Sequence, residues 1–194
     1  AIAAIPFKMN STTDGLIVDV REESEFKKGH LKGSINIQAS SEEDTFETWL
    51  GAIVAPGEKF SLVIEKPEDL EMILQRVAKI GYEKELQRVL TLSGENLIKT
   101  RQLDLEDFKK HPNSYTIVDI RNKSELAEGK IFDSAINHPL NELRKTAANI
   151  PDSKPIVVHC AGGYRSAAGS SILENVLKNV TVYDLSNAVE QFKG

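Results

Sequence analysis

Two kinds of hydrophobic pattern alternate along the chain. Short runs rich in Val, Ile and Leu, such as Leu16-Ile17-Val18-Asp19-Val20 and Leu62-Val63-Ile64, have the length and branching of buried strands. Amphipathic stretches lie between them. Phe46, Trp49, Leu50 and Ile53 fall at i, i+3, i+4 and i+7, one face of a helix in which Trp49 reads as a core aromatic. Pro67-Glu68-Asp69 opens a second helix, with proline in its first turn and acids at the positive end of its dipole, running to Ile80 before Gly81. A further helix is expected from about Ser166 to Leu177. This alternation predicts an α/β fold with a mainly parallel sheet flanked by helices.

The pattern occurs twice. Ile17-Val18-Asp19-Val20-Arg21-Glu22-Glu23-Ser24-Glu25 lies over Ile117-Val118-Asp119-Ile120-Arg121-Asn122-Lys123-Ser124-Glu125 at an offset of 100, with six of nine positions identical. Gly29 then matches Gly129, and one inserted residue later Ile35-Asn36 matches Ile136-Asn137. A second block agrees at an offset of 95, placing Pro56 to Glu65 over Pro151 to Cys160. Two copies at so long a period mean duplicated domains, because solenoid repeats recur every ~20–50 residues. Ser93-Gly94-Glu95-Asn96 has turn composition and Lys99 to Leu103 shows no clear period, so the expected domains are residues 1–95 and 101–194.

Charge and composition narrow the function. The net charge is -5, from 24 basic and 29 acidic side chains with no basic stripe, which removes nucleic acid as a partner. No run of about 18 apolar residues exists, and Ala1 to Pro6 is too short and lacks the basic flank of a signal peptide. A cytoplasmic protein with no membrane association is expected. One cysteine and four histidines are too poor a set for a disulfide or a structural zinc site, so neither metal nor cofactor is expected. The start at Ala1 rather than at methionine points to a piece of something longer.

The candidate chemistry lies in the second copy. Strand Pro155-Ile156-Val157-Val158-His159 delivers Cys160, followed by Ala161-Gly162-Gly163-Tyr164-Arg165-Ser166 and a helix. Two glycines let the backbone curl so that N–H groups point at the sulfur, the helix start adds a positive dipole, and Arg165 supplies a cation. Such surroundings favour a thiolate nucleophile. A lone cysteine more often serves packing alone, but packing needs none of these neighbours. His159 should face the other side of its strand, and Tyr164 should shape the pocket mouth.

These residues resemble the rhodanese (sulfurtransferase) homology domain over nearly the whole chain, twice. Asp19, Arg21, Glu25, Phe26, Gly29, His30, Gly33, Ser34, Ile35 and Asn36 look like its first motif, and Cys160 to Arg165 like its catalytic loop. The resemblance implies a sulfurtransferase acting through a persulfide on Cys160, with Arg165 as its catalytic partner. Ala161, Gly162, Gly163, Tyr164 and Ser166 would hold the substrate. The implied partners are a small-molecule sulfur donor, thiosulfate or a low-molecular-weight persulfide, and a thiol acceptor.

The first copy departs from the family pattern. Glu65 stands at the expected nucleophile position, and Lys66-Pro67-Glu68-Asp69-Leu70 offers neither glycine nor arginine. It reads as an inactive domain, with Asp19, Arg21 and His30 as a structural hydrogen-bonded set. In the second copy Asp119 and Arg121 read the same way, while Lys130, Asp133, Ser186 and Asn187 depart from the usual pattern at the site walls, the last two ahead of the usual aromatic, here Phe192.

Phe46-Glu47-Thr48-Trp49, Lys79-Ile80-Gly81-Tyr82 and His159 to Ser166 resemble the tandem rhodanese half of proteins fused to a metallo-β-lactamase-fold persulfide dioxygenase. A fused or separate domain of that fold is thus a further implied partner. Two other readings stand beside the sulfurtransferase. A Cys-dependent phosphatase or arsenate reductase uses a similar loop, but phosphatases place five residues between Cys and Arg where this chain places the four from Ala161 to Tyr164. A non-catalytic binding module would suit the first copy alone.

Overall fold

The computed structural model describes residues 4–6, 15–41, 44–92 and 96–193. Ala1 to Ala3, and Ser93 to Glu95 of the expected turn, lie outside the described residues. The chain divides into two compact units, residues 1–100 and 101–194.

The first unit contains β1 (Ala4–Pro6), β2 (Leu16–Asp19), α1 (Glu23–Lys28), β3 (Ile35–Asn36), α2 (Phe46–Ile53), β4 (Phe60–Ile64), α3 (Leu70–Lys79) and β5 (Leu86–Thr91). Its sheet has the order β1-β5-β4-β2-β3, and every pairing is parallel. The second unit contains α4 (Leu105–Lys110), β6 (Thr116–Asp119), α5 (Lys123–Glu128), β7 (Ile136–Asn137), α6 (Leu140–Thr146), β8 (Ile156–His159), α7 (Ser166–Val176) and β9 (Val182–Asp184). Its sheet, also parallel throughout, runs β7-β6-β8-β9. All residues of β4 and β8 are buried, as central strands covered on both faces must be.

Three local expectations change. Trp49 is only half-buried, whereas Phe46, Leu50 and Ile53 on the same helix are buried. A short 3₁₀ turn, Pro67–Asp69, precedes α3. The segment after residue 95 belongs to the first unit: Ile98 and His30 exchange backbone hydrogen bonds at 2.8 and 2.9 Å, and the Thr100 N–H donates to the Lys27 carbonyl. Leu97 also packs over Gly29, where a Cβ would stand 3.1 Å from its side chain.

Each unit carries the same polar bracket. In the first, Arg21 Nε and Nη2 donate to Asp19 Oδ1 and Oδ2 at 2.9 and 2.8 Å, and Nη2 also donates to the Gly29 carbonyl. Asn36 Nδ2 spans the carbonyls of Asp19 and Arg21. In the second, Arg121, Asp119, Gly129 and Asn137 repeat every one of these bonds. The bracket fastens a strand end, a helix end and the next strand to one point. His30 is also buried but bonds elsewhere, to the Phe26 carbonyl through Nδ1.

Helix α7 lies close against its sheet because its inward residues are small. Ala167, Ala168, Gly169, Ser170 and Ser171 are all buried, and a Cβ on Gly169 would stand 2.7 Å from Ile120 Cδ1. Farther along, burial pushes the Glu174 carboxyl up to about 7, Asp184 adding to the rise against the opposing pull of Arg101 and Lys178. The folded chain therefore holds a proton between pH 4.5 and about 7 that the unfolded chain has released, and stability falls as pH rises through that window. Glu174→Gln should stabilise the protein by about 1–2 kcal/mol at pH 8 and change little near pH ~4. Thermal melts at both values check this, and an equal shift at the two would refute it.

Candidate functional site

Cys160 follows β8 directly, at the carboxyl end of the parallel sheet, where doubly wound folds place their ligands. Its side chain is buried, with 1% of the residue exposed, and the Gly163 N–H donates to its sulfur at 3.1 Å. Gly163 makes this bond at a φ of +105°, in the region that favours glycine. The segment after β9 backs it, since a Cβ at Gly163 would stand 2.7 Å from Asn187 N and 2.9 Å from the Ser186 carbonyl carbon. Ser186 is itself left-handed, at φ 52°, and its N–H bonds to Asp184 Oδ1 at 2.8 Å.

The loop residues divide by position. Gly162 is exposed, and Ala161 and Tyr164 are half-buried. Ser166 is fully buried and donates its hydroxyl to the Gly163 carbonyl at 2.8 Å. That inward bond closes the loop from behind. Arg165 is half-buried and its charge interacts with Cys160, but its fork is held by Glu125. Nη1 and Nη2 donate to Glu125 Oε2 and Oε1 at 2.7 and 2.6 Å.

Glu125 was not singled out from the sequence. The signal was present, because Glu125 lies over Glu25 in the repeat. It passed unnoticed because the partner stands 40 residues away on another element.

His159 is wholly buried. Its Nδ1 lies 3.2 Å from the Cys160 carbonyl and its ring stands edge-on to Phe132. Burial lowers its basicity, and Nε2 is 3.7 Å from Asp119 Oδ2, outside hydrogen-bond reach. This is a core position and not that of a proton carrier for Cys160. Phe192 joins Phe108 and Phe132 in an aromatic cluster of the second unit. The exposed Lys130 donates to the Asp133 carbonyl.

Strand register corrects the residue assigned to the nucleophile position in the first unit. Asp119 pairs with His159, and its counterpart Asp19 pairs with Val63. The residue equivalent to Cys160 is therefore Ile64, and Glu65 falls on Ala161. The start of the following helix agrees, with Leu70 six places after Ile64 and Ser166 six after Cys160. The proline and lysine matches that set the offset of 95 lie before the strand, one residue out of step with it.

With that register Pro67 stands at Gly163 and Asp69 at Arg165. Ile64 is wholly buried, while the Glu65 side chain is 46% exposed and 3.8 Å from Arg21. The first unit thus has an aliphatic side chain for the thiol, a residue without N–H for the amide, and an acid for the cation.

A family model for the rhodanese-like domain matches residues 7–91 and, separately, 104–194. The chain belongs to the rhodanese-like domain family. Both units are rhodanese-like domains, and the Cys160 loop lies in the second.

Among solved structures, a rhodanese-related protein from Thermoplasma volcanium is 28% identical, covering 47% of this chain and 89% of its own, with a TM-score of 0.42. A thiosulfate sulfurtransferase from Pseudomonas aeruginosa is 20% identical over 89% of this chain and 37% of its own, with a TM-score of 0.34. The human single domain sulfurtransferase is 18% identical, covering 44% and 88% respectively, with a TM-score of 0.37. No curated protein matches the sequence. Among the described residues, no group of three or more His, Cys, Asp or Glu is placed to hold a metal, and no helix is long and apolar enough to cross a membrane.

Proposed function

We propose that the second rhodanese-like domain is a sulfurtransferase and that the first is non-catalytic. The observation that carries this reading is the Cys160 sulfur receiving the Gly163 amide at 3.1 Å inside a four-residue loop closed by Arg165. In the first half-reaction the Cys160 thiolate attacks the outer sulfur of thiosulfate or a low-molecular-weight persulfide. The donor's S–S bond breaks, its electron pair leaves with sulfite or thiolate, and Cys160 becomes a persulfide. In the second, an acceptor thiolate attacks the outer sulfur and restores the Cys160 thiolate. No external oxidant or reductant is needed. The Gly163 amide and Arg165 stabilise negative charge on the sulfur in both halves.

The tightness of the loop favours sulfur transfer over phosphoryl transfer. The Gly163 amide and the Arg165 charge converge on a single sulfur, whereas a tetrahedral phosphate needs donors on a wider ring. Intact mass after incubation with thiosulfate tests the proposal: the protein should gain one sulfur, about 32 Da, and lose it to cyanide. Rapid hydrolysis of an aryl phosphate with no mass gain would reverse the assignment.

The first domain should resist activation. In an Ile64→Cys, Cys160→Ser double variant, thiosulfate should add no sulfur, because Pro67 offers no amide and Asp69 stands in place of the arginine. Mass spectrometry reads this directly, and a sulfur gained on the introduced thiol would show the first loop to be competent.

A further inference from the structure

Two arginines of the second unit, one of them in contact with Cys160, are matched by carboxylates. Arg121 is paired with Asp119, and the Arg165 fork is taken at both points by Glu125. Arginine holds the Glu125 carboxyl down to about 2, so the pair stays charged throughout the working pH range. Near the loop mouth the same pairing recurs: Glu190 Oε1, 3.7 Å from where a Cβ on Gly162 would be, accepts from Lys193 Nζ at 2.6 Å. In the first domain the residue equivalent to Arg165 is Asp69, and Glu25, the counterpart of Glu125, bonds to Lys28 instead. The carboxylate is engaged with the loop only where the loop carries an arginine.

We propose that Glu125 is a positioning and specificity-determining residue that cancels most of the Arg165 charge, so that the Cys160 loop takes sulfur donors bearing one negative charge in preference to those bearing two. The proposal rests on the sulfurtransferase reading of the site. An open arginine would attract a dianion twice as strongly as a monoanion, which would offset repulsion from the Cys160 thiolate. With Glu125 beside the guanidinium, that attraction is largely cancelled while the repulsion remains. Arg165 still offers N–H groups to the sulfur, so directional bonding is kept and long-range attraction is lost.

Glu125 also caps α5, with Oε2 accepting the Asn122 N–H at 3.0 Å. Glutamine serves at that capping position equally well. Glu125→Gln therefore keeps the cap and an oxygen for Arg165 while removing the charge.

Two measurements separate this proposal from the reading beneath it. Cys160 is the only cysteine, so alkylation reports on its surroundings alone. The ratio of its rate with anionic iodoacetate to its rate with neutral iodoacetamide should rise at least about fivefold in Glu125→Gln. Thiosulfate, a dianion, and benzenethiosulfonate, a monoanion, then serve as donors. The kcat/KM ratio of the first to the second should rise about tenfold in the variant.

Unchanged ratios in both assays would overturn the proposal and leave Glu125 as a helix cap. A shifted alkylation ratio with no sulfur transfer from either donor would sustain the charge-setting role and refute the sulfurtransferase. A check in the wild type needs no folded variant: iodoacetate alkylation should change less than about twofold between ~20 and ~200 mM ionic strength. A steep fall with salt would show Arg165 acting as an uncompensated cation and would overturn the proposal.

Discussion

Cys160→Ser should abolish sulfur transfer, lowering kcat/KM by at least about a thousandfold while the protein remains folded. Serine is close to cysteine in size, and its oxygen can still accept the Gly163 N–H, so the loop keeps its shape. The melting transition should move by about 1 kcal/mol or less in stability. A hydroxyl is not ionised at neutral pH and cannot carry a second sulfur, so the chemistry is lost where the fold is not. Turnover above a tenth of the wild-type rate from a variant verified by mass would remove Cys160 from the mechanism.

The two loop glycines should behave oppositely. At Gly163 a methyl group meets backbone atoms of Ser186 and Asn187 at 2.9 and 2.7 Å, and the +105° φ strains any other residue. Gly163→Ala should cost about 2–6 kcal/mol in the loop, the sum of backbone strain and overpacking. The loop yields before the sheet does, so activity should fall more than about a hundredfold with a smaller change in the global transition. At Gly162 the same methyl meets only Glu190 Oε1 at 3.7 Å, an ordinary contact. Gly162→Ala should keep activity within about threefold. Equal losses at both positions would mean that amide geometry at Gly163 is not what the loop supplies.

The fold was legible because its signals are local. The Val- and Ile-rich runs did become central parallel strands, α2 starts and ends where its periodicity did, and the repeat of Asp, Arg, Gly and Asn reappears as two matching brackets. The loop around Cys160 was visible for the same reason, since cysteine, two glycines and arginine sit within six residues. What stayed hidden depends on distant contacts. Glu125 meets Arg165 across 40 residues, and the backing of Gly163 comes from a turn after β9. The error at Glu65 has another origin: matching residues before a strand fixes the count only to that point, and a one-residue slip changes which side chain reaches the site. Hydrogen-bond pairing resolves such a slip, because on the strand that leads into the loop Asp19 faces Val63 and Asp119 faces His159.

The Asp-Arg-Asn bracket has a consequence for how the two halves can diverge. It ties the ends of three elements together in both domains without drawing on any residue between Ile64 and Leu70, or between Cys160 and Ser166. Architecture and reactivity are thereby assigned to separate stretches of chain. A duplicated copy can lose its thiol, its amide donor and its cation one after another without unfolding, because none of them belongs to the frame. The first domain has the form such a history would leave, an intact socket holding a loop that no longer matches its twin.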